Sequence, residues 1–283
     1  MSHVAIITDS ASDLSPARAA ALGIDVVPLL VTFGPDTFKA GVELSAEAFW
    51  ARMTAPDAPF PKTAAASPVA FRDAFAAAFA AGAESVVCIT VASSLSGTFK
   101  SATLGRAMLP EREIHVLDSD TAAFGMALLA MLGLDRARAG RSGAEIAAEL
   151  TERAKDVEAI VCLDTLEYLR RGGRISGPRA VIGTLLSVKP IIAIRNGTVD
   201  KIDQVRTRGK ARERAIEFII SRPVERLAIF HSISPDLDEF RTEVIARVGT
   251  VDPADVETAI IGPSIGPHLG PGALGAAMLY RKG

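Results

Sequence analysis

The chain has 283 residues, 49% of them hydrophobic but only 5% aromatic, and a formal net charge of −2. That length allows two modest domains, or one large domain with an appended lobe, and no uncharged apolar run reaches the roughly 18 residues of a membrane-spanning helix. Met1-Ser2-His3 runs straight into an apolar stretch with no secretion signal, and Cys88 and Cys162 sit singly inside apolar runs. A cytoplasmic address is therefore expected, with neither a disulfide framework nor a zinc site.

Residues 4–8 form an apolar run too short for a helix and read as a strand. Ser15-Pro16 then offers a side-chain oxygen to free helical amides and a ring that presets the first turn, so a helix starts there and ends at Gly23. Residues 24–33 return as a strand interrupted by Pro28. Ser67-Pro68 repeats the helix start, and Phe71, Phe75 and Phe79 recur behind it every four residues as a core stripe. A strand at 86–91, a helix at 98–108, a strand at 114–117 and a long alanine-rich helix at 121–139 follow. Ser142 with Glu145 forms a capping box that opens the next helix. This alternation predicts an α/β fold whose N-terminal part is a mostly parallel, doubly wound sheet with helices on both faces.

The pattern changes after about Lys155. Residues 190–194 and 198–202 flank Asn196-Gly197, a hairpin signal because both turn positions need positive φ. A helix near 210–220, a strand at 227–230, a helix opened by Ser234-Pro235 and strands at 256–261 and 273–280 complete an α+β second domain. The expected division is 1–155 and 156–283, closely packed, with a ligand site between the two.

Two literal motif matches fail on context. Gly262-Pro263-Ser264-Ile265-Gly266 fits the hydrolase elbow, but prolines crowd the serine and no Asp or Glu follows it. Gly270-Pro271-Gly272-Ala273-Leu274-Gly275 fits the dinucleotide fingerprint, yet only eight residues remain for the helix, strand and acid it needs. More telling are three hydroxyl-rich loops at strand-to-helix transitions: Thr8-Asp9-Ser10, residues 63–67, and Ser93 through Thr98. In a doubly wound sheet such loops gather at the carboxyl edge, where free helix amides suit an anion such as a carboxylate. A single such loop is ordinarily a helix cap; three on one edge favour a site.

His268 lies among Gly and Pro, which suits a ligand-facing imidazole; His231 and His115 read as structural and His3 as terminal. No spacing of His, Cys, Asp or Glu resembles a metal cluster, so no metal or cofactor is expected. Arg170 to Arg214 holds twelve Lys and Arg against Asp200, Asp203 and Glu213, a local +9 that leaves −11 elsewhere. Such a band is as readily a solvated surface as a face for an acidic partner or phosphorylated ligand. Within it, Arg174, Arg206 and Arg208 carry the planar fork that suits carboxylate or phosphate.

Taken in order, these pieces resemble the DegV fatty-acid-binding proteins: Ile-x-Thr-Asp-Ser near the start, Lys62-Thr63 with a downstream Ser, Ser93-x-Leu95-Ser96-Gly97-Thr98, and Leu117-Asp118-Ser119. Tyr168-Leu169-x-x-Gly172-Gly173-Arg174-Ile175, Leu185 through Pro190, Val205-Arg206-Thr207, and Ile261-Gly262-Pro263 through Gly275 complete the set. The resemblance spans nearly the whole chain. It implies a carrier that buries one long-chain fatty acid in a tunnel and offers its carboxylate to a separate ATP-dependent kinase, giving an acyl-phosphate for phospholipid synthesis. Carried over by position, Thr63, Ser96 and His268, with Ser93 and Gly97 of the same loop, hold the carboxylate, while Arg174 and Arg206 face the kinase. The chain departs from the family where Thr63 is followed by Ala64-Ala65-Ala66-Ser67 instead of the usual Ser-Gln-Pro-Ser. Peripheral membrane contact for lipid exchange is compatible with this role.

Two other readings stand beside it. One is a stand-alone phosphotransferase, or a hydrolase using Ser96 or Ser264 with His268 on acyl or phosphoester substrates. The other is nucleic-acid binding by the basic band. One Trp and two Tyr in the whole chain leave that band without stacking aromatics, so no nucleic-acid partner is expected.

Overall fold

The computed structural model describes residues 3–175 and 188–282. Three sheets organise it. The first is parallel, in the order β2 (Asp25–Val27), β1 (Val4–Asp9), β6 (Ser85–Thr90) and β7 (Ile114–Asp118). Their connections run through α1 (Pro16–Leu22), α3 (Pro68–Ala80) and α4 (Thr98–Ala107). Ser15 and Ser67 accept the backbone N–H bonds of Arg18 and Ala70, so both Ser-Pro pairs act as the local chemistry dictates. Phe71 and Phe75 are fully buried, whereas Phe79 is half-buried under the Arg112 guanidinium.

The stretch 24–33 does not form one interrupted strand. β2 joins the parallel sheet, while β3 (Leu30–Phe33) lies beyond Pro28 at the centre of a small antiparallel sheet with β4 (Asp36–Lys39) and β5 (Lys62–Ala64). α2 (Ala46–Met53) follows β4 and buries Phe49 and Trp50. β4 and β5 are too short to carry a periodic signal.

The third sheet has six strands in the order β10 (Thr198–Val205), β9 (Lys189–Arg195), β8 (Val157–Cys162), β13 (Leu274–Tyr280), β11 (Val224–His231) and β12 (Glu257–Ile260). All its pairs are antiparallel except β11 with β12. The turn between β9 and β10 has φ of 49° at Asn196 and 70° at Gly197, the geometry that pairing demands.

α5 (Phe124–Arg138) packs against β1 and β6 on one side and β8, β11 and β13 on the other. Enclosure by two sheets explains why its first two turns are apolar all round instead of on one stripe. It starts three residues later than the composition predicts, because Ala123 has a φ of 53° and cannot be a helical residue. α6 (Gly143–Arg153) opens with the expected Ser142–Glu145 capping box. On the far face of the six-stranded sheet, α8 (Arg208–Ile219) and α9 (Leu237–Val248) cover a second core around Ile216, Phe240 and Tyr280.

Two further short helices, α7 (Glu167–Gly172) and α10 (Gly266–Leu269), pack on each other beside the carboxyl ends of β1 and β6. The β9–β10 hairpin leans over the same edge. Its Gly197 N–H donates to Asp120 O at 2.8 Å, and Ser94 Oγ donates to Gly197 O. Segments from all three sheets thus converge on one place.

Candidate functional site

A cavity lies where they meet, walled by Ala11 and Val91 from the parallel sheet's edge, Leu29 before β3, Leu169 of α7, and Ile194 and Val199 of the hairpin. The space open to the centre of a water molecule is about 120 Å³. A single water needs about 10–15 Å³ on that measure.

The polar atoms of this cavity come from few residues. Thr63 projects from β5, Ser96 and Gly97 precede α4, and His268 sits on α10. Thr63 Oγ1 and His268 Nε2 are hydrogen-bonded at 3.0 Å. Ser96 Oγ is 2.8 Å from Thr98 Oγ1 and also accepts the Thr98 N–H, so its loop turns into the helix with the amide end facing the site. Arg174 also lines the cavity; its Nε and Nη1 donate to Leu95 O and Gly172 O at 3.2 and 2.5 Å, fixing the guanidinium beside the mouth.

His268 is largely enclosed. Burial, reinforced by the Arg174 charge, lowers its pKa to about 4, so the imidazole is neutral near pH 7. Its Nδ1 has no hydrogen-bond partner among the described residues and packs against Gly172, where any Cβ would overlap it. The cavity lining therefore offers hydroxyls, a neutral imidazole and one guanidinium. That set suits one carboxylate.

The model described as "Uncharacterised protein, DegV family" matches residues 3–281. The chain belongs to the DegV family. A DegV domain-containing protein of Deinococcus radiodurans is 34% identical over 279 residues, covering 97% of this chain and 98% of its own. The structure of a fatty-acid-binding DegV family protein from Thermus thermophilus superposes with a TM-score of 0.88 at 28% identity, covering 99% of this chain and 100% of that one. DegV of Bacillus subtilis, a fatty acid binding protein, gives a TM-score of 0.87 at 27% identity, with 99% and 100% covered. The mixed α/β architecture, with its parallel N-terminal sheet, is that of the DegV fold.

Within this DegV chain the remaining residues singled out from sequence fall differently. Ser93 is exposed at the loop's outer turn, where its N–H donates to the Asp118 carboxylate, and it does not line the cavity. Arg206 is exposed just after β10, away from the cavity wall, whereas Arg174 is part of it. Arg208 is committed elsewhere: it donates to both Asp164 oxygens at 2.8 and 2.7 Å, to Asp236 at 2.9 Å and to Ser234 at 3.0 Å. Thr63 reaches the cavity from the small antiparallel sheet, not from the carboxyl edge of the parallel one. Ser176, Gly177, Arg179 and the start of the 185–190 motif lie outside the described residues.

Ser264 was legible only as a hydrolase elbow, yet it lines the cavity, hydrogen-bonded at 2.8 Å to Ser10 Oγ. Neither Ser264 nor Ser96 is hydrogen-bonded to His268 among the described residues, so no Ser–His pair is assembled. Gly172 gave no signal beyond its place in the Gly172-Gly173 pair. Its role depends on a side chain almost a hundred residues away.

Proposed function

We propose that this DegV protein binds one long-chain fatty acid, with its carboxylate at Thr63, Ser96, Gly97 and His268 and its acyl chain in the cavity beneath. One observation carries the reading: the cavity is walled by aliphatic side chains, and hydroxyls, an imidazole and a guanidinium are grouped at its mouth. Burying a sixteen-carbon chain contributes on the order of 10 kcal/mol before ordering costs, enough that the head group needs no full ion pair. A carboxylate held by hydroxyls and a neutral imidazole keeps its nucleophilic oxygen.

The carrier role extends this reading. A separate kinase would bring ATP to the mouth; a carboxylate oxygen attacks the γ-phosphorus, ADP leaves, and an acyl-phosphate for phospholipid synthesis remains. Arg174, which lines the cavity, and Arg206, exposed just after β10, are the cations that would meet the kinase or the transferring phosphate. The units 1–155 and 156–283 would enclose the lipid between them in the cytoplasm, with transient contact at a membrane surface for exchange. Among the described residues no helix is long and apolar enough to cross a membrane.

Native mass spectrometry of protein purified from bacterial cells tests the binding step; a mass increment equal to one fatty acid is expected. Lipid-free protein that also fails to take up added hexadecanoic acid would overturn it. The kinase step is tested by adding lysate fractions and ATP to the loaded protein and looking for acyl-phosphate, which hydroxylamine traps.

A further inference from the structure

Ser10 and Ser264 form a second polar station inside the cavity region, deeper than the carboxylate cluster. Both are buried, at 9% and 4% exposure, while Thr63 and His268 stand nearer solvent. Ser264 lines the cavity, and Ser10 lines a neighbouring one, so their shared bond is the partition between the two spaces. Hydrogen counting is informative here. Ser10 Oγ accepts the Leu29 N–H at 2.8 Å, and one hydroxyl proton is used between the two serines. The pair's other O–H has no acceptor among the described residues. A buried donor left without an acceptor is costly, and a ligand atom that accepts it recovers that cost.

The location follows from the backbone. Gly266 N–H bonds to Gly262 O and His268 N–H to Ile265 O, so Ser264 lies in the turn that leads into α10, the helix that carries His268. Ser264 and His268 both line the cavity. A chain whose carboxylate rests against His268 therefore has Ser264 on the wall it runs along.

Resting on the fatty-acid reading above, we propose that Ser264, backed by Ser10 and the Leu29 amide, recognises an oxygen on the acyl chain close to its carboxyl end. The favoured ligand class is a hydroxy- or oxo-fatty acid. With the Ser10 O–H donated to Ser264 Oγ, the remaining O–H is that of Ser264, and the chain oxygen accepts it.

The test compares the dissociation constants of hexadecanoic, β-hydroxyhexadecanoic and ω-hydroxyhexadecanoic acids for wild-type protein, Ser264→Ala and Ser10→Ala. Wild type should hold the β-hydroxy acid about fivefold or more tighter than the ω-hydroxy acid, and Ser264→Ala should erase most of that preference. Ser10→Ala should reduce the preference in part, since Ser264 then lacks its oriented neighbour. Equal wild-type affinity for the two hydroxy acids overturns the proposal even if no variant folds. A Ser264→Ala loss that is equal for hexadecanoic and β-hydroxy acids also overturns it, by making Ser264 a carboxylate contact. Failure of wild type to bind any of the three overturns instead the fatty-acid reading beneath it.

Discussion

Thr63 and His268, 205 positions apart, share a 3.0 Å hydrogen bond between Oγ1 and Nε2 across the mouth of an apolar cavity. The bond ties the last strand of the small antiparallel sheet to the short helix before β13, and Gly172 closes the other side of the imidazole. His268 is thereby aimed by two partners from separate parts of the chain.

Replacing Thr63 by Val keeps its shape and removes its hydroxyl. Bonds to a charged group contribute about 1.5–3 kcal/mol, so the affinity for hexadecanoate should fall roughly ten- to a hundredfold. Thr63 is only half-buried on a short strand, and the melting temperature should stay within about 4 °C of wild type. Displacement of a fluorescent fatty acid, with a thermal scan alongside, reads both quantities.

Gly172→Ala adds one methyl that would overlap His268 Nδ1 and lie 3.0 Å from its Cε1. The ring must rotate away, breaking the bond to Thr63. We expect at least a tenfold loss of affinity from this methyl, which itself touches no part of the head group. Unchanged binding would show that His268 is not needed to hold the ligand.

The His268 imidazole, lowered to about 4 by burial and by Arg174, titrates below a free imidazole at 6.5. Between those two values the unfolded chain binds the proton and the native one does not, so this residue costs stability as pH falls from 6.5 towards 4. Asp9 works in the opposite sense. Burial raises it from 3.8 to about 7, so the native state holds a proton the unfolded chain releases, and its contribution fades as pH rises through that window. Because Asp9 is common to both proteins, His268→Gln should differ from wild type by a smaller decline in melting temperature between pH 6.5 and 4. Proton NMR of the wild-type ring should show its midpoint move upward when a fatty acid is added, since a nearby carboxylate favours the imidazolium.

Arg208 is a clamp behind the loop that follows His268. It joins Asp164 after β8, Asp236 and Ser234 before α9, and lies close to Gly272. Arg208→Met should destabilise the fold by only about 1 kcal/mol, because Asp164 keeps Lys189 and Asp236 keeps Arg212, and urea unfolding measures this. Its effect on fatty-acid affinity should be smaller than that of Thr63→Val, since Arg208 does not line the cavity.

Features set by neighbouring residues were readable from the chain. Ser15-Pro16, Ser67-Pro68 and the Ser142–Glu145 pair start helices because a hydroxyl and a ring act within one turn. Asn196-Gly197 makes its hairpin because the two φ angles are a property of those residues alone. The order of the short motifs, from Thr8-Asp9-Ser10 through Ser93–Thr98 to Ile261–Gly275, also sufficed to point to the family.

What the cavity contains was decided by packing. Thr63 reaches it only because residues past Pro28 leave the parallel sheet and draw β5 into a second one. Ser264 lines it because the chain turns through 263–265 into α10, which its Gly and Pro content does not advertise, and Gly172 matters because α7 and α10 touch. Periodicity and capping report free energies spent within a few residues, so they are written locally. The meeting of Thr63, Ser96 and His268 depends on how sheets and helices bury their faces against one another, and that minimum belongs to the whole chain at once.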